Sequence, residues 1–292
     1  MNVDLGSRLT SYRPVINLLQ SVFWSEFAIL LTAALLGSLA IIPYSLRLLA
    51  SGQRKPLKFS LPTLLLLSFL QTAVLSALAI GVGLLAAHAI GLGAPYIEAT
   101  LASNGSIQTV VQMLPPAIGL GVLGGAVLLL LDLFFLRYWP QKLVDFAQRA
   151  TLWENFLASF YGGLNEEFFM RLFGISVLAW LLSRVWYTPT GLPTNAVFWT
   201  ANVIIAVLFG LGHLPATKNL WGSIPPLMLA RTLLLNAPIG LICAWLFWTF
   251  GIEAAVLAHL SADIVYHVAG TTVLRSKLSV NSRAIVPHSD AI

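Results

Sequence analysis

The sequence predicts an all-α fold, a polytopic transmembrane helical bundle of about seven to eight spans around a polar cavity. Three observations carry that expectation. Hydrophobic residues fill 58% of the 292 positions and charged residues only 9%, against about 25% charged in a soluble domain. Mean hydropathy is +0.85, and apolar runs long enough to cross a bilayer recur along the chain. The charges that interrupt those runs gather in three short clusters, all in the second half. A soluble enzyme and a disordered chain are excluded by the same composition. The net charge of +5 comes from 16 Lys and Arg against 11 Asp and Glu, spread thinly without a basic run, so nucleic acid is not an expected partner. The lipid bilayer is. A single cysteine, Cys243, leaves no internal disulfide and no paired-cysteine metal knuckle.

The first apolar run covers 27–49 and is followed by Arg54, Lys55 and Lys58; the second covers 62–90. A polar stretch, 91–112, carries Glu98 as its only charge. The third span covers 115–136 and ends at Arg137, Tyr138 and Trp139. Residues 140–151, with Lys142, Asp145 and Arg149, read as an amphipathic piece lying at the interface. The long mixed segment 153–184 reads as a re-entrant or broken lead-in followed by a fourth span. Spans at 196–213, 224–250 and 254–274 complete the set, with kinks expected at Pro225, Pro226 and Pro238. Asp132 and His88 are expected at span ends, and Trp24, Trp139, Trp186, Trp221 and Trp248 in an aromatic belt.

Positive charge orients the spans. Arg47, Arg54, Lys55 and Lys58 fall after span one, Arg137, Lys142 and Arg149 after three, Lys218 after five, and Arg275, Lys277 and Arg283 after the last. These loops alternate, so all can be cytoplasmic together with the C-terminus. Seven spans would put the N-terminus outside, against Arg8 and Arg13; an eighth helix, or an interfacial one over 14–26, would resolve the conflict. No transporter-type internal repeat is visible. The first span is too long and too late for a cleaved signal peptide, and a short chain of this kind is expected in a bacterial inner membrane.

The first polar cluster runs from Gly163 to Arg171. Glu167 and Arg171 are four apart and can pair on one helical face. Glu166 points about 100° away, which leaves it free for chemistry as a general base in a low-dielectric site; the alternative is a solvated group anchoring a span end. The second cluster ends the fifth span. Phe209 and His213 share a face, and Gly210 and Gly212 would let another helix approach. The third is a stripe of His259, Asp263 and His267 at steps of four. Such a stripe must face the bundle interior, where it suits metal ligands, polarising donors, or a purely structural His–Asp pair. Between these clusters, Arg231 could neutralise a buried carboxylate and Asn236 could bond across helices.

Glu166-Glu167-x-x-x-Arg171, Phe209-x-x-x-His213 and His259-x-x-x-Asp263 together resemble, in order and spacing, the CPBP family of CAAX-processing and bacteriocin-processing intramembrane proteases, also called Abi. That family includes the type II CAAX prenyl endopeptidases. The resemblance covers about 153–270. It implies generic N-terminal spans over 1–150, a catalytic core over 151–275 and a cytoplasmic polar tail over 276–292. It also implies a glutamic-type peptide hydrolase without cofactor, acting on a membrane-bound protein or peptide substrate. Glu166 and His213 would activate water, Glu167 and Arg171 would hold the helix, and His259 and Asp263 would stabilise the oxyanion. A zinc ion on Glu166, His213, His259 and Asp263 is the alternative by ligand type, although no His-Glu-x-x-His motif occurs. Asp263 stands where the prenyl endopeptidases carry Asn, and an ionised Asp cannot donate to an oxyanion; either it is protonated in its apolar setting, or it orients His259 and leaves donation to the imidazole. The other functional classes compatible with the chain are a catalytically inactive scaffold or self-immunity protein of the same fold, and a secondary transporter using the acids as proton relays.

Overall fold

The computed structural model describes residues 5–51, 59–102 and 107–285, with side chains undescribed at 5–21, 107–109, 221 and 279–285. Helices α1 (Leu5–Ala40) and α2 (Ile42–Ser51) are followed by α3 (Leu61–Ala89), α4 (Pro95–Leu101) and α5 (Ile107–Phe135). Then come α6 (Gln141–Arg149), α7 (Leu152–Tyr161), α8 (Ser176–Leu182), α9 (Asn195–Gly212) and α10 (Leu214–Trp221). The chain closes with α11 (Pro226–Phe250), α12 (Ile252–Asp263) and α13 (Gly270–Ile285). Among the described residues six helices are long and apolar enough to cross a membrane. The protein is an integral membrane protein with an all-α bundle.

Several boundaries differ from the sequence expectation, each for a local reason. The segment 153–184 is not re-entrant. It is one continuous helical rod over 152–182, in which α7 passes through the π-helical segments Gly162–Glu166 and Phe168–Ile175 into α8. Its start is sealed by a capping box: Glu154 N–H donates to Thr151 Oγ1 (3.4 Å) and Thr151 N–H donates to Glu154 Oε2 (3.1 Å). Residues 14–26 do not form a separate interfacial helix, because they lie within α1. The stretch 91–112 is not all loop: it holds α4 and the start of α5, whose polar Gln108, Thr109 and Gln112 masked the helix. Pro225 and Pro226 do not break the sixth span; they begin it, as N-cap and first helical residue, where a missing N–H costs nothing. Pro238 lies inside α11.

The apolar exterior is what a bilayer requires. On α3, Leu66, Leu70, Val74, Leu78 and Leu85 are all exposed. Inside, helices meet through glycines. A Cβ at Gly83 would lie 2.8 Å from Leu172 O, and one at Gly125 would lie 2.5 Å from Ala262 O, so α3 and α5 press directly on the backbones of the rod and α12. Gly210 makes room on α9 for the Leu233 side chain, which a Cβ would approach to 2.8 Å, whereas Gly212 meets nothing within 4 Å and brings no helix close. Gly251, at φ 97°, makes the α11–α12 turn against Pro95, a conformation that a side chain would strain.

The expected aromatic belt holds only in part. Trp24 and Trp186 are exposed, Trp248 stacks on Phe198 at 5.1 Å, and Trp139 lines an internal cavity; the Trp221 side chain is outside the described residues. Asp132 is not interfacial. It is 1% exposed and accepts from Arg231 Nε (2.8 Å) and from Tyr266 Oη (2.7 Å). Four of the positive markers gather at one end of the bundle: Lys142 Nζ donates to Asn219 O beside Lys218, Arg275 Nε donates to Ala147 O, and Arg47 pairs with Glu154 at 2.7 Å. Arg54, Lys55 and Lys58, and the side chains of Arg8, Arg13 and Arg283, lie outside the described residues.

Candidate active site

The polar rod positions the first group. A π-turn holds one residue more than an α-turn and occurs mostly at functional sites. Through it, three successive polar side chains face three different neighbours. Asn165 Nδ2 donates to Ala34 O (3.0 Å) and Ser38 Oγ (2.9 Å), fastening the rod to α1. Glu166 is 23% exposed and turns into a cavity. Glu167 is fully buried and meets Arg171 Nη1 at 2.9 Å, in the alignment of an ion pair rather than a hydrogen bond. Arg171 is anchored by donation from Nη2 to Gly240 O (3.0 Å). Gly162 leaves the space these groups need, since a Cβ there would sit 2.7 Å from Asp263 Oδ2 and 3.2 Å from His259 Nε2.

His213 is the C-cap of α9, and its Nδ1 lies 2.9 Å from Phe209 O. A carbonyl only accepts, so Nδ1 carries a proton, and in the neutral ring Nε2 presents a lone pair. That nitrogen lies 3.8 Å from Glu166 Oε1. The other Glu166 oxygen lies 3.9 Å from His259 Nε2. The ring of Phe209 touches both imidazoles, edge-on to His213 at 4.8 Å and to His259 at 6.1 Å, with the Arg171 guanidinium 5.2 Å from its centre.

His259 Nδ1 lies 2.5 Å from Glu167 Oε1, both groups being buried. The residue that orients His259 is therefore Glu167, not Asp263. Asp263 Oδ1 lies between two imidazoles, 3.7 Å from His259 Nε2 and 3.8 Å from His267 Nε2. With Nδ1–H committed to Glu167, His259 Nε2 donates only as the imidazolium, for which Glu166, Glu167 and Asp263 supply counter-charge.

Glu166, His213, His259, Asp263 and His267 line one cavity of about 620 Å³, whose walls are largely apolar. Asn236 lines it too, but donates to Thr232 O of its own helix (2.7 Å) rather than across helices. Arg231 contributes from the wall through Asp132. That buried pair was readable in principle: Asp132 is the only charge in α5 and Arg231 the only charge in α11.

The family described as type II CAAX prenyl endopeptidase Rce1-like matches residues 148–265, a stretch that contains all four central side chains. This stretch, less than half of the chain, is similar to that family, in agreement with the resemblance carried by the three motifs. No curated protein and no solved structure gives a match to the chain.

A zinc ion at the centre of this site fits poorly. Among the described residues Glu166, His213, His259 and Asp263 do not bring three donor atoms within 4.8 Å of one another. Glu167, Cys243 and His259 do. Yet Glu167 Oε1 and His259 Nδ1 are only 2.5 Å apart, whereas Zn–ligand bonds of about 2.0–2.2 Å in a tetrahedron need roughly 3.3 Å between donors. The Arg171 guanidinium also faces the same oxygen. These two atoms are bonded to each other rather than aimed at a common ion.

Proposed function

We propose that the protein is an intramembrane endopeptidase that hydrolyses a peptide bond of a membrane-associated protein or peptide. The single observation that carries this reading is the pairing of two proton acceptors, Glu166 Oε1 and His213 Nε2, 3.8 Å apart at the wall of the cavity. A water lying off the line between them donates one hydrogen to each, which leaves an oxygen lone pair for the carbonyl carbon. As the C–O bond forms, Glu166 takes the proton and the carbonyl becomes an oxyanion facing His259 Nε2–H. Glu166 then returns the proton to the leaving nitrogen as the C–N bond breaks. Glu167 holds the His259 ring, and Asp263 sets the charge beside it. The cavity's position at the end that gathers Arg47, Lys142, Lys218 and Arg275 supports a cytoplasmic opening in a bacterial inner membrane, with the C-terminus on that side.

The test is a comparison of membrane proteomes from wild-type and Glu166→Ala cells. A precursor accumulates in the variant if the reading holds. An unchanged peptide profile with an intact cellular phenotype would instead assign a non-catalytic scaffold or self-immunity role.

A second measurement separates the duties of the acids. Because Glu167 already orients His259, Asp263→Asn keeps proteolysis within about tenfold of wild type. His259→Ala costs on the order of 10²–10³ in kcat, the usual loss when an oxyanion donor is deleted. A collapse of activity in Asp263→Asn would show that a carboxylate is needed at that position.

A further inference from the structure

The opposite end of the bundle holds a second polar cluster that the hydrolytic reading does not use. Glu26 in α1, His88 at the end of α3 and Glu98 in α4 converge there. His88 Nε2 lies 3.2 Å from Glu26 Oε2 and 3.4 Å from Glu98 Oε1. Glu26 is 0% exposed, and neither of its oxygens makes a hydrogen bond. A buried carboxylate in that state is costly and needs an explanation. Glu98 is held in place by Ala94 N–H (3.0 Å to Oε1), and Gly93 makes the approach possible: a Cβ there would strike Glu98 Oε1 and stand 3.2 Å from His88 Nε2.

Charge points the same way. Glu253 joins the group by accepting from Tyr96 N–H and Ile97 N–H, both at 3.0 Å, at the start of α4. Two carboxylates thus flank one imidazole, with a third on the adjoining helix start. The adjoining cavity, about 1020 Å³ in volume, has no Lys or Arg among its described lining residues. Even a protonated His88 leaves the trio with Glu26 and Glu98 negative, whereas a divalent cation with neutral His88 balances the two carboxylates. The donor separations of 3.2 and 3.4 Å match the roughly 3.3 Å edge of a tetrahedron with Zn–ligand bonds of about 2.0–2.2 Å. One imidazole and two carboxylates form an accepted donor set, and the cavity supplies a fourth, open position.

We propose that Glu26, His88 and Glu98 form a zinc-binding site that clamps α1, α3 and α4 together at the end of the bundle remote from the catalytic cavity. The experiment uses the full-length protein in detergent, stripped with chelator and titrated with Zn²⁺ alone. Bound metal is counted by elemental analysis and stability is read as Tm. Wild type and His213→Ala bind one equivalent and gain Tm. His88→Ala and Glu98→Gln bind none and show no Zn²⁺-dependent shift. Glu98→Gln, a near-isosteric change at a partly exposed site, decides the matter if His88→Ala does not fold. Absence of binding to wild type, retention of zinc by Glu98→Gln, or loss of zinc in His213→Ala would each overturn the proposal.

Discussion

Glu166→Gln lowers kcat against the accumulated precursor by on the order of 10²–10⁴, the contribution expected of a positioned general base, while the folded, membrane-inserted protein persists. The amide keeps the size of the carboxylate, and Glu166 is the less buried of the two acids on its helix, so the fold has little at stake in its charge. His213 stays in place, held by Phe209 O through Nδ1, and its lone pair sustains a residual rate. Adding His213→Ala to Glu166→Gln therefore costs less than the two single losses combined, as for groups that act on one water. Cleavage within tenfold of wild type in the single variant would remove Glu166 from the role of base.

Glu167 has the opposite profile. It is fully buried against Arg171, itself 1% exposed, and removing one partner of such a pair strands the other charge. Glu167→Ala is expected to destabilise the protein by about 3–5 kcal/mol, read as a loss of Tm in detergent or nanodiscs. Replacing both, Glu167→Ala with Arg171→Met, removes the stranded charge and recovers much of that stability. Activity does not return with it, because His259 has lost the acceptor for Nδ1–H. If the double variant cleaves substrate, Glu167 does not orient His259.

How much of this was legible in the sequence depends on which force set each feature. Hydrophobic burial did so for the spans, and periodic apolar runs disclosed most of them without any contact information. Of the residues singled out from the three motifs and their surroundings, all but Glu167 and Arg171 line one cavity: Glu166, Phe209, His213, Arg231, Asn236, His259, Asp263 and His267. The features that escaped were set by packing between distant segments. Nothing in the sequence around Glu167 says that it meets His259, 92 residues away, as well as Arg171. Asp132 looked interfacial because its partners, Arg231 and Tyr266, lie 99 and 134 residues further along the chain. The start of α5 hid behind Gln108, Thr109 and Gln112, whose polarity reads as loop although the helix continues through them. The second cluster was dispersed over Glu26, His88 and Glu98 with no motif spacing to unite them.

The π-helical segments around Glu166 constrain how such a chain can change length. Each widened turn accommodates a residue that an α-helix would not. Deleting one residue from a widened turn would let it close to a regular one, with the rod beyond staying in phase but the side chains of the turn itself re-aimed. In the first widened turn, Asn165 and Glu166 would then lose α1 and the cavity as respective neighbours. Substitutions there can be graded, but indels cannot. The loop between α8 and α9, which carries no catalytic side chain, can lengthen or shorten freely. A change in chain length is thus absorbed by that connection and not by the rod.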